Sequence, residues 1–276
     1  MELKKKIIVF SDIHLTGRGK KIIGLDPGEK LSSALSHALC NNHDADHIIF
    51  TGDLSHDGDL SSYLYLKELL LGIEIPITFM MGNHDHRRTF ASVFSSSKAD
   101  KNGFFQSSIS YSPYQLLFLD TLQSANEANR KGEGYLCEKR LIWLEQQLVL
   151  ALKKKVILFM HHPPINVGFR AMDKIKLANN NEFFSLLDKY QNVVHIIAGH
   201  IHRTISGNSR GYSFSIFKST CHQMPMMLDS DNVKLSAAEP PAYGVLLLNE
   251  EGFIVHTEDY ELSEQKKITF NDYNQK

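Results

Sequence analysis

Residues 193–202 read Val193-Val194-His195-Ile196-Ile197-Ala198-Gly199-His200-Ile201-His202, an apolar run that breaks off into a glycine and two histidines. The run is short and rich in β-branched residues, so it reads as a buried strand and not as a helix. In the G-H-x-H that follows, both imidazoles fall on one side of an extended segment. Four earlier runs end in the same manner. Lys6–Phe10 leads into Ser11-Asp12-Ile13-His14, and His47–Phe50 into Thr51-Gly52-Asp53. Ile75–Met81 leads into Gly82-Asn83-His84-Asp85, and Val156–Met160 into His161-His162-Pro163-Pro164. Open α/β sheets bind ligands outside the carboxyl ends of their strands. Any one of these endings is weak, since Gly-Asp is most often a turn and a lone D-x-H is noise. Five in succession are a pattern.

Helical spacing fills the intervals between the strands. Leu31, Leu35, Ala38 and Leu39 form one stripe, and Leu60, Leu64, Leu66, Leu69 and Leu70 a second. Leu141, Leu144, Leu148 and Leu152 form a third, and Phe183, Phe184, Leu186 and Leu187 mark a fourth. These are core-facing helix stripes. Gln115–Leu119 adds a strand, and after Ala198 the pattern turns to strands at Phe214–Phe217, Tyr243–Leu248 and Phe253–His256. The order predicts a layered α/β fold with a mixed sheet or a pair of sheets. Met224–Pro241 is polar, proline-containing and poorly periodic, which suits a surface excursion or a lid.

At roughly 150 residues per domain, a chain of 276 residues is one large domain or two small ones. Its 30 Lys plus Arg balance 31 Asp plus Glu, for a formal charge of −1, so a broad footprint for duplex nucleic acid is not expected. The cysteines Cys40, Cys137 and Cys221 are sparse, odd in number and lack a C-x-x-C pair, which fits a reducing compartment. The apolar run Ile7–Phe10 after Lys4-Lys5-Lys6 is too short for a signal-peptide core, and no long apolar stretch suggests a membrane span. A cytoplasmic location is expected.

The strand ends supply carboxylate, amide oxygen and imidazole, which suit Mn, Fe, Zn or Co. Thiolate is missing from the set, which argues against a structural zinc site. Seven candidate ligands of these kinds are too many for one tetrahedral ion and enough for two ions sharing a bridge. Two ions about 3.5–4 Å apart suit an in-line phosphoryl displacement.

These residues resemble the calcineurin-like metallophosphoesterase family, whose pattern is D-x-H, G-D, G-N-H-[DE], H and G-H-x-H in that order. Every element is present between Asp12 and His202. The resemblance implies a four-layer α/β/β/α sandwich of two mixed β-sheets flanked by helices, formed by the chain 1–276 as a single domain. It implies that Asp12, His14 and His202 hold a first metal, that Asp53 bridges, and that Asn83, His161 and His200 hold a second. By the same likeness His84 is not a ligand but contacts the scissile phosphate and assists the leaving oxygen. Asp85 either orients His84 or caps a helix at Arg87–Phe94.

Phe159–Pro164, Ser219–Pro225 and Glu239–Gly244 look like a bacterial branch that includes class III cyclic-nucleotide phosphodiesterases and glycerophosphodiesterases. That likeness puts His222 near the metals as a contact to the substrate phosphate, against the plainer reading of a strand-end histidine satisfied by backbone. It makes His162 a supporting or turn residue and not a ligand. His37, His43, His47, His56, His86, His195 and His256 match nothing in the pattern and are read as bland. The family's protein phosphatases carry G-D-x-x-D-R-G, whereas here His56-Asp57 runs directly into Gly58. A phosphate-gripping Arg favours a monoester dianion, so its absence favours a diester.

The function expected is a binuclear-metal phosphodiesterase in which metal-bound hydroxide attacks the phosphorus of a small soluble diester, a cyclic nucleotide of the cAMP type first. A glycerophosphodiesterase or broad-specificity diesterase is the alternative. A catalytically silent metal-binding scaffold would predict damage at His84 or a ligand, and none is present. An exonuclease of the same fold is disfavoured by the neutral charge. Many members of the branch associate beyond the last metal motif, so a homo-oligomer (dimer or higher) is left open. Ile205–Ser236, with Tyr212, Phe214, Ile216 and Phe217, is either core or interface.

Overall fold

The computed structural model describes residues 5–124 and 131–262; Lys4 and both ends of the 1–276 span lie outside them. Strand β1 (Lys5–Phe10) leads through α1 (Pro27–Asn41), β2 (His47–Phe50) and α2 (Leu60–Leu69) to β3 (Ile77–Phe79) and α3 (Arg87–Val93). A hairpin of β4 (Ser107–Tyr111) and β5 (Tyr114–Leu119) follows, then α4 (Glu138–Leu150), β6 (Lys155–Met160), a 3₁₀ turn at Met172–Ile175, α5 (Asn180–Leu187) and β7 (Val193–Ala198). The last strands are β8 (Ile205–Ser209), β9 (Tyr212–Ile216), β10 (Tyr243–Leu248) and β11 (Phe253–Glu258).

The strands make two mixed sheets, five in the order β11-β10-β1-β2-β3 and six in the order β4-β5-β6-β7-β9-β8. Alternation along the strands creates the layers. Ile7, Val9 and Ile49 of one sheet meet Leu116, Phe118, Ile157, Phe159 and Ile197 of the other in an inter-sheet core. The opposite faces, Ile8, Phe10, Ile48 and Phe50 in one sheet and Leu117, Leu119, Leu158 and Ala198 in the other, pack against α1–α3 and α4–α5. That is the α/β/β/α sandwich. β1, β2 and β3 are mutually parallel, as are β6 and β7, so the five motif-bearing strands discharge their loops at one edge.

Several local expectations change. The strand expected over Ile75–Met81 narrows to Ile77–Phe79, because Pro76 has no N–H to give the ladder. Of the leucine stripe over α2, Leu66, Leu69 and Leu70 join the core, whereas Leu60 and Leu64 are about half exposed and Ser62 and Tyr63 turn inward. Leu152 lies beyond α4 and is exposed. Ile216 and Phe217 are core, not interface, with Phe217 between the sheets. Met224–Pro241 has no helix or strand and is closed at its base by a bridge between Gln223 and Ala237. No helix among the described residues is long and apolar enough to cross a membrane.

Candidate metal centre

Asp12, His14, Asp53, His200 and His202 all have positive φ, between 44° and 73°. Left-handed backbone is uncommon outside glycine, and Asp and His are among the side chains that tolerate it best. Here it bends the chain sharply just past β1, β2 and β7, so that successive polar side chains fold back over one point. The β1 and β2 loops then run side by side: His14 N–H donates to Asp53 O at 2.9 Å, and Leu15 N–H to Leu54 O at 3.1 Å. Glycines make the room. A Cβ on Gly82 would stand 2.2 Å from Asp53 Oδ1, and one on Gly52 2.6 Å from His161 Nδ1.

Asp12, His14, Asp53 and His202 bring ligand atoms within 4.8 Å of one another. Asp53 Oδ2 lies 3.4 Å from His14 Nε2 on one side and 3.4 Å from His161 Nε2 on the other. Asn83 Oδ1 is 3.3 Å from His161 Nε2, and the His161 and His200 rings are 5.2 Å apart. Asp12 Oδ1 is 3.5 Å from His202 Nε2, while its carboxylate also accepts His200 N–H at 2.9 Å and the Ser11 hydroxyl. The sequence-derived set is thus gathered into two groups that meet at Asp53.

Hydrogen bonds from outside aim the imidazoles. His161 Nδ1–H donates to Thr51 O at 2.9 Å, and His202 Nδ1–H to His222 O at 2.9 Å. A carbonyl can only accept, so each Nδ1 carries a proton and Nε2 is the nitrogen turned inward. Burial holds His14 and His200 well below the ordinary imidazole value, despite the pull of Asp53, so both rings stay neutral. Burial works against charge on His161 too, yet the adjacent Asp53 raises it to about 9. His200 Nε2 is buried with no hydrogen-bond partner, and two buried carboxylates lie among inward-facing nitrogens. An unpaired buried nitrogen and two clustered buried carboxylates are costly unless a cation joins them, so the donor set fits metal ions.

Residues 5–204 match the sequence profile of the family described as calcineurin-like phosphoesterase. The chain belongs to that family. This phosphoesterase is 37% identical over 252 residues to a protein of Rhodopseudomonas palustris named as a probable cyclic nucleotide phosphodiesterase, covering 91% of each chain. It is 30% identical over 255 residues to one of Arcobacter nitrofigilis named as a probable glycerophosphodiester phosphodiesterase, covering 91% of this chain and 92% of that one. In fold it is similar to a dimetal phosphatase from Danio rerio, with a TM-score of 0.71 at 15% identity, covering 93% of this chain and 96% of that one.

Around this centre the phosphoesterase places His84 with its backbone N–H on Asp53 Oδ1 at 2.9 Å and its Nδ1–H on His56 O at 2.6 Å, so that Nε2 is the ring nitrogen outside these bonds. The His222 ring lies 5.1 Å from that of His14 and 4.7 Å from that of His202. Its Nδ1 meets Ser236 Oγ at 2.5 Å, and its Nε2 is buried without a partner. His162 is fully buried, bonded through Nδ1 to Thr121 Oγ1 at 2.8 Å, with its ring 4.7 Å from that of His200.

Asp85 has neither of the two roles open for it in the sequence. The N-cap of α3 is His86, with no side-chain cap bond, and Asp85 makes no hydrogen bond to the His84 ring, whose Nδ1 bonds His56 O instead. Its carboxylate accepts from the backbone N–H of Leu54, Ser55 and Gly82 and from the Tyr63 hydroxyl, at 2.9–3.1 Å. It therefore staples the β2 loop to the β3 loop. Burial and the nearby Asp53 push it up to about 6.

His56, read as bland, is the correction. Its Nδ1 is 3.3 Å from His14 Nδ1, and its ring stacks on His84 at 5.2 Å. The sequence held no signal for this beyond its place three residues after Asp53. His37, His47, His86 and His195 bond elsewhere: to Tyr243, to Thr78 and Tyr111, to Thr89, and to Ser213 and Ser215.

Proposed function

We propose that this phosphoesterase hydrolyses a small soluble phosphodiester at a pair of metal ions, with a cyclic nucleotide as the first-choice substrate. The observation that carries the reading is Asp53 Oδ2, equally close to His14 Nε2 and His161 Nε2 at 3.4 Å, so that one carboxylate serves two donor sets. Asp12, His14 and His202, with Asp53, would hold one ion; Asn83, His161 and His200, again with Asp53, would hold the other. Carboxylate, amide and imidazole suit Mn, Fe, Zn or Co. When bound, such a pair polarises phosphoryl oxygens and makes water acidic enough to attack at neutral pH.

The chain's own residues do the rest. His84, fixed at Nδ1 by the His56 carbonyl, uses Nε2 to hand a proton to the departing ester oxygen, a contribution of about 10²–10⁴-fold. His222 contacts the phosphate or the second ester arm. Burial lowers its imidazole to about 3, so that contact is a hydrogen bond and not an ion pair. Ser236 ties His222 to the 224–241 segment, which we read as a lid.

The stretch Gly52–Gly58 has no arginine to grip a dianion, which favours a diester over a monoester. The names of the two relatives favour the same class, and the glycerophosphodiesterase name supports a glycerol diester as the second reading. We further read the chain as one domain over 1–276, cytoplasmic and without a duplex nucleic-acid partner; the alternative to a lid within 205–241, where Met226 and Met227 are exposed, is a homo-oligomer interface. A turnover panel across 3′,5′-cyclic, 2′,3′-cyclic, glycerol and aryl diesters, with AMP as the matching monoester, tests the function. Cyclic AMP should have the higher kcat/KM. AMP turned over faster under the same metal loading would replace the diesterase with a nucleotidase.

A further inference from the structure

We propose that His56 is a positioning residue whose ring holds the proton of His14 on Nδ1, and thereby keeps His14 Nε2 free to ligate. The proposal rests on the reading of His14 as a metal ligand given above. His14 is almost fully buried, and its Nε2 faces Asp53 Oδ2 at 3.4 Å and His202 Nε2 at 3.0 Å. A ligating nitrogen carries no proton, so the proton must sit on Nδ1, and a buried N–H without an acceptor costs about 1–3 kcal/mol. The acceptor it meets is His56 Nδ1, at 3.3 Å, with the two rings edge-on at 62°.

His14 differs here from its neighbours. His161 and His202 give their Nδ1 protons to backbone carbonyls, which cannot donate back. An imidazole can donate or accept, so His14 is correctly set only while His56 has its own proton on Nε2. The His56 ring is held for this by its stack on His84, at 5.2 Å and 24°. Its carbonyl meanwhile accepts the His84 Nδ1 proton. One residue therefore aims a ligand with its ring and the leaving-group histidine with its backbone. His56 is only half-buried, so its side chain can be changed without opening the core.

The test uses metal-free full-length protein titrated with Mn²⁺ by calorimetry, with the His14 tautomer read by ¹⁵N-imidazole NMR before metal is added. Wild type should take up two equivalents and show His14 protonated on Nδ1. His56→Leu should weaken one equivalent by about 10–100-fold, leave the other unchanged, and mix the His14 tautomers. His56→Asn places an amide oxygen where Nδ1 was and should restore both readouts. Wild-type affinity at both sites in His56→Leu, equal weakening of both, or no rescue by His56→Asn would overturn the proposal. His14→Ala separates the underlying reading. If it still binds two equivalents tightly, His14 is not a ligand, and the NMR arm alone decides whether His56 sets its proton.

Discussion

Nε2 of His14 and Nε2 of His202 stand 3.0 Å apart although 188 residues separate them in the chain. His202 has its Nδ1 proton committed to a carbonyl; with the His14 proton on Nδ1, as proposed above, two Nε2 lone pairs face each other beside Asp12 and Asp53. Positive charge relieves this repulsion. Stripping metal with a chelator should therefore cost stability, and restoring an ion at about 100-fold its Kd should return about 2.7 kcal/mol. In a chain of this size that is about 5–10 °C in Tm. Calorimetry before and after chelation reads it, and an unchanged Tm would contradict a structural stake in the ions.

His84→Ala should keep the metals and lose turnover by about 10²–10⁴-fold on a substrate with an alkoxide leaving group. The loss should shrink on an aryl diester, whose phenolate departs without a proton. Metal analysis and parallel kinetics on the two substrates check this. An equal loss on both would make His84 a phosphate-binding residue and not a proton donor.

Asp85→Ala should be among the most damaging substitutions near the site although it removes no ligand. Three buried N–H groups and the Tyr63 hydroxyl lose their acceptor, at about 1–3 kcal/mol for each group left unpaired. Tyr63→Phe removes one of these bonds together with the one its hydroxyl accepts from His86 N–H, and should cost about 1–3 kcal/mol, well short of Asp85→Ala. Urea unfolding of both variants gives the comparison, and equal losses would mean that Asp85 is not a four-way staple.

Acid should destabilise the fold through core histidines remote from the centre. Burial lowers His195 from 6.5 to about 4. Between these values the unfolded chain takes up a proton that the folded chain refuses, so stability falls as pH drops from 6.5 and levels off below 4. The full effect of one such group is about 3 kcal/mol. His195→Gln, which keeps polar atoms for Ser213 and Ser215, should flatten that part of the stability curve. A wild-type slope in the variant would show that His195 does not contribute. His47, also lowered to about 4 by burial, should behave alike.

The misreadings have physical causes. β4 and β8 were not visible because each is an edge strand of mostly exposed polar residues, Ser-Ser-Ile-Ser-Tyr and Ile-Ser-Gly-Asn-Ser, with no apolar run to announce it. The buried face of α2 departs from the leucine spacing at Leu60 and Leu64, which periodicity alone assigns to the core. What turned the helix was Tyr63, whose hydroxyl donates to Asp85 and accepts His86 N–H at 2.9 Å. Asp85 sat beside His84 in sequence and invited a local role. Its partners came instead from the β2 loop, some 30 residues back.

What the sequence determined by itself was local and periodic: apolar strand runs, helical stripes, and the Asp, Asn and His residues placed directly after five strands. Parallel strands within each sheet carry such endings to a common edge, so the likeness to a metallophosphoesterase was legible before any coordinates. What only the tertiary structure decided was pairing across long separations. It brought His14 to His202, Asp53 to both His14 and His161, and His56 to the ring of His14. Such contacts depend on how two sheets stack and how left-handed turns aim each side chain. An imidazole three residues past a motif looks the same in sequence whether it points at water or at a ligand.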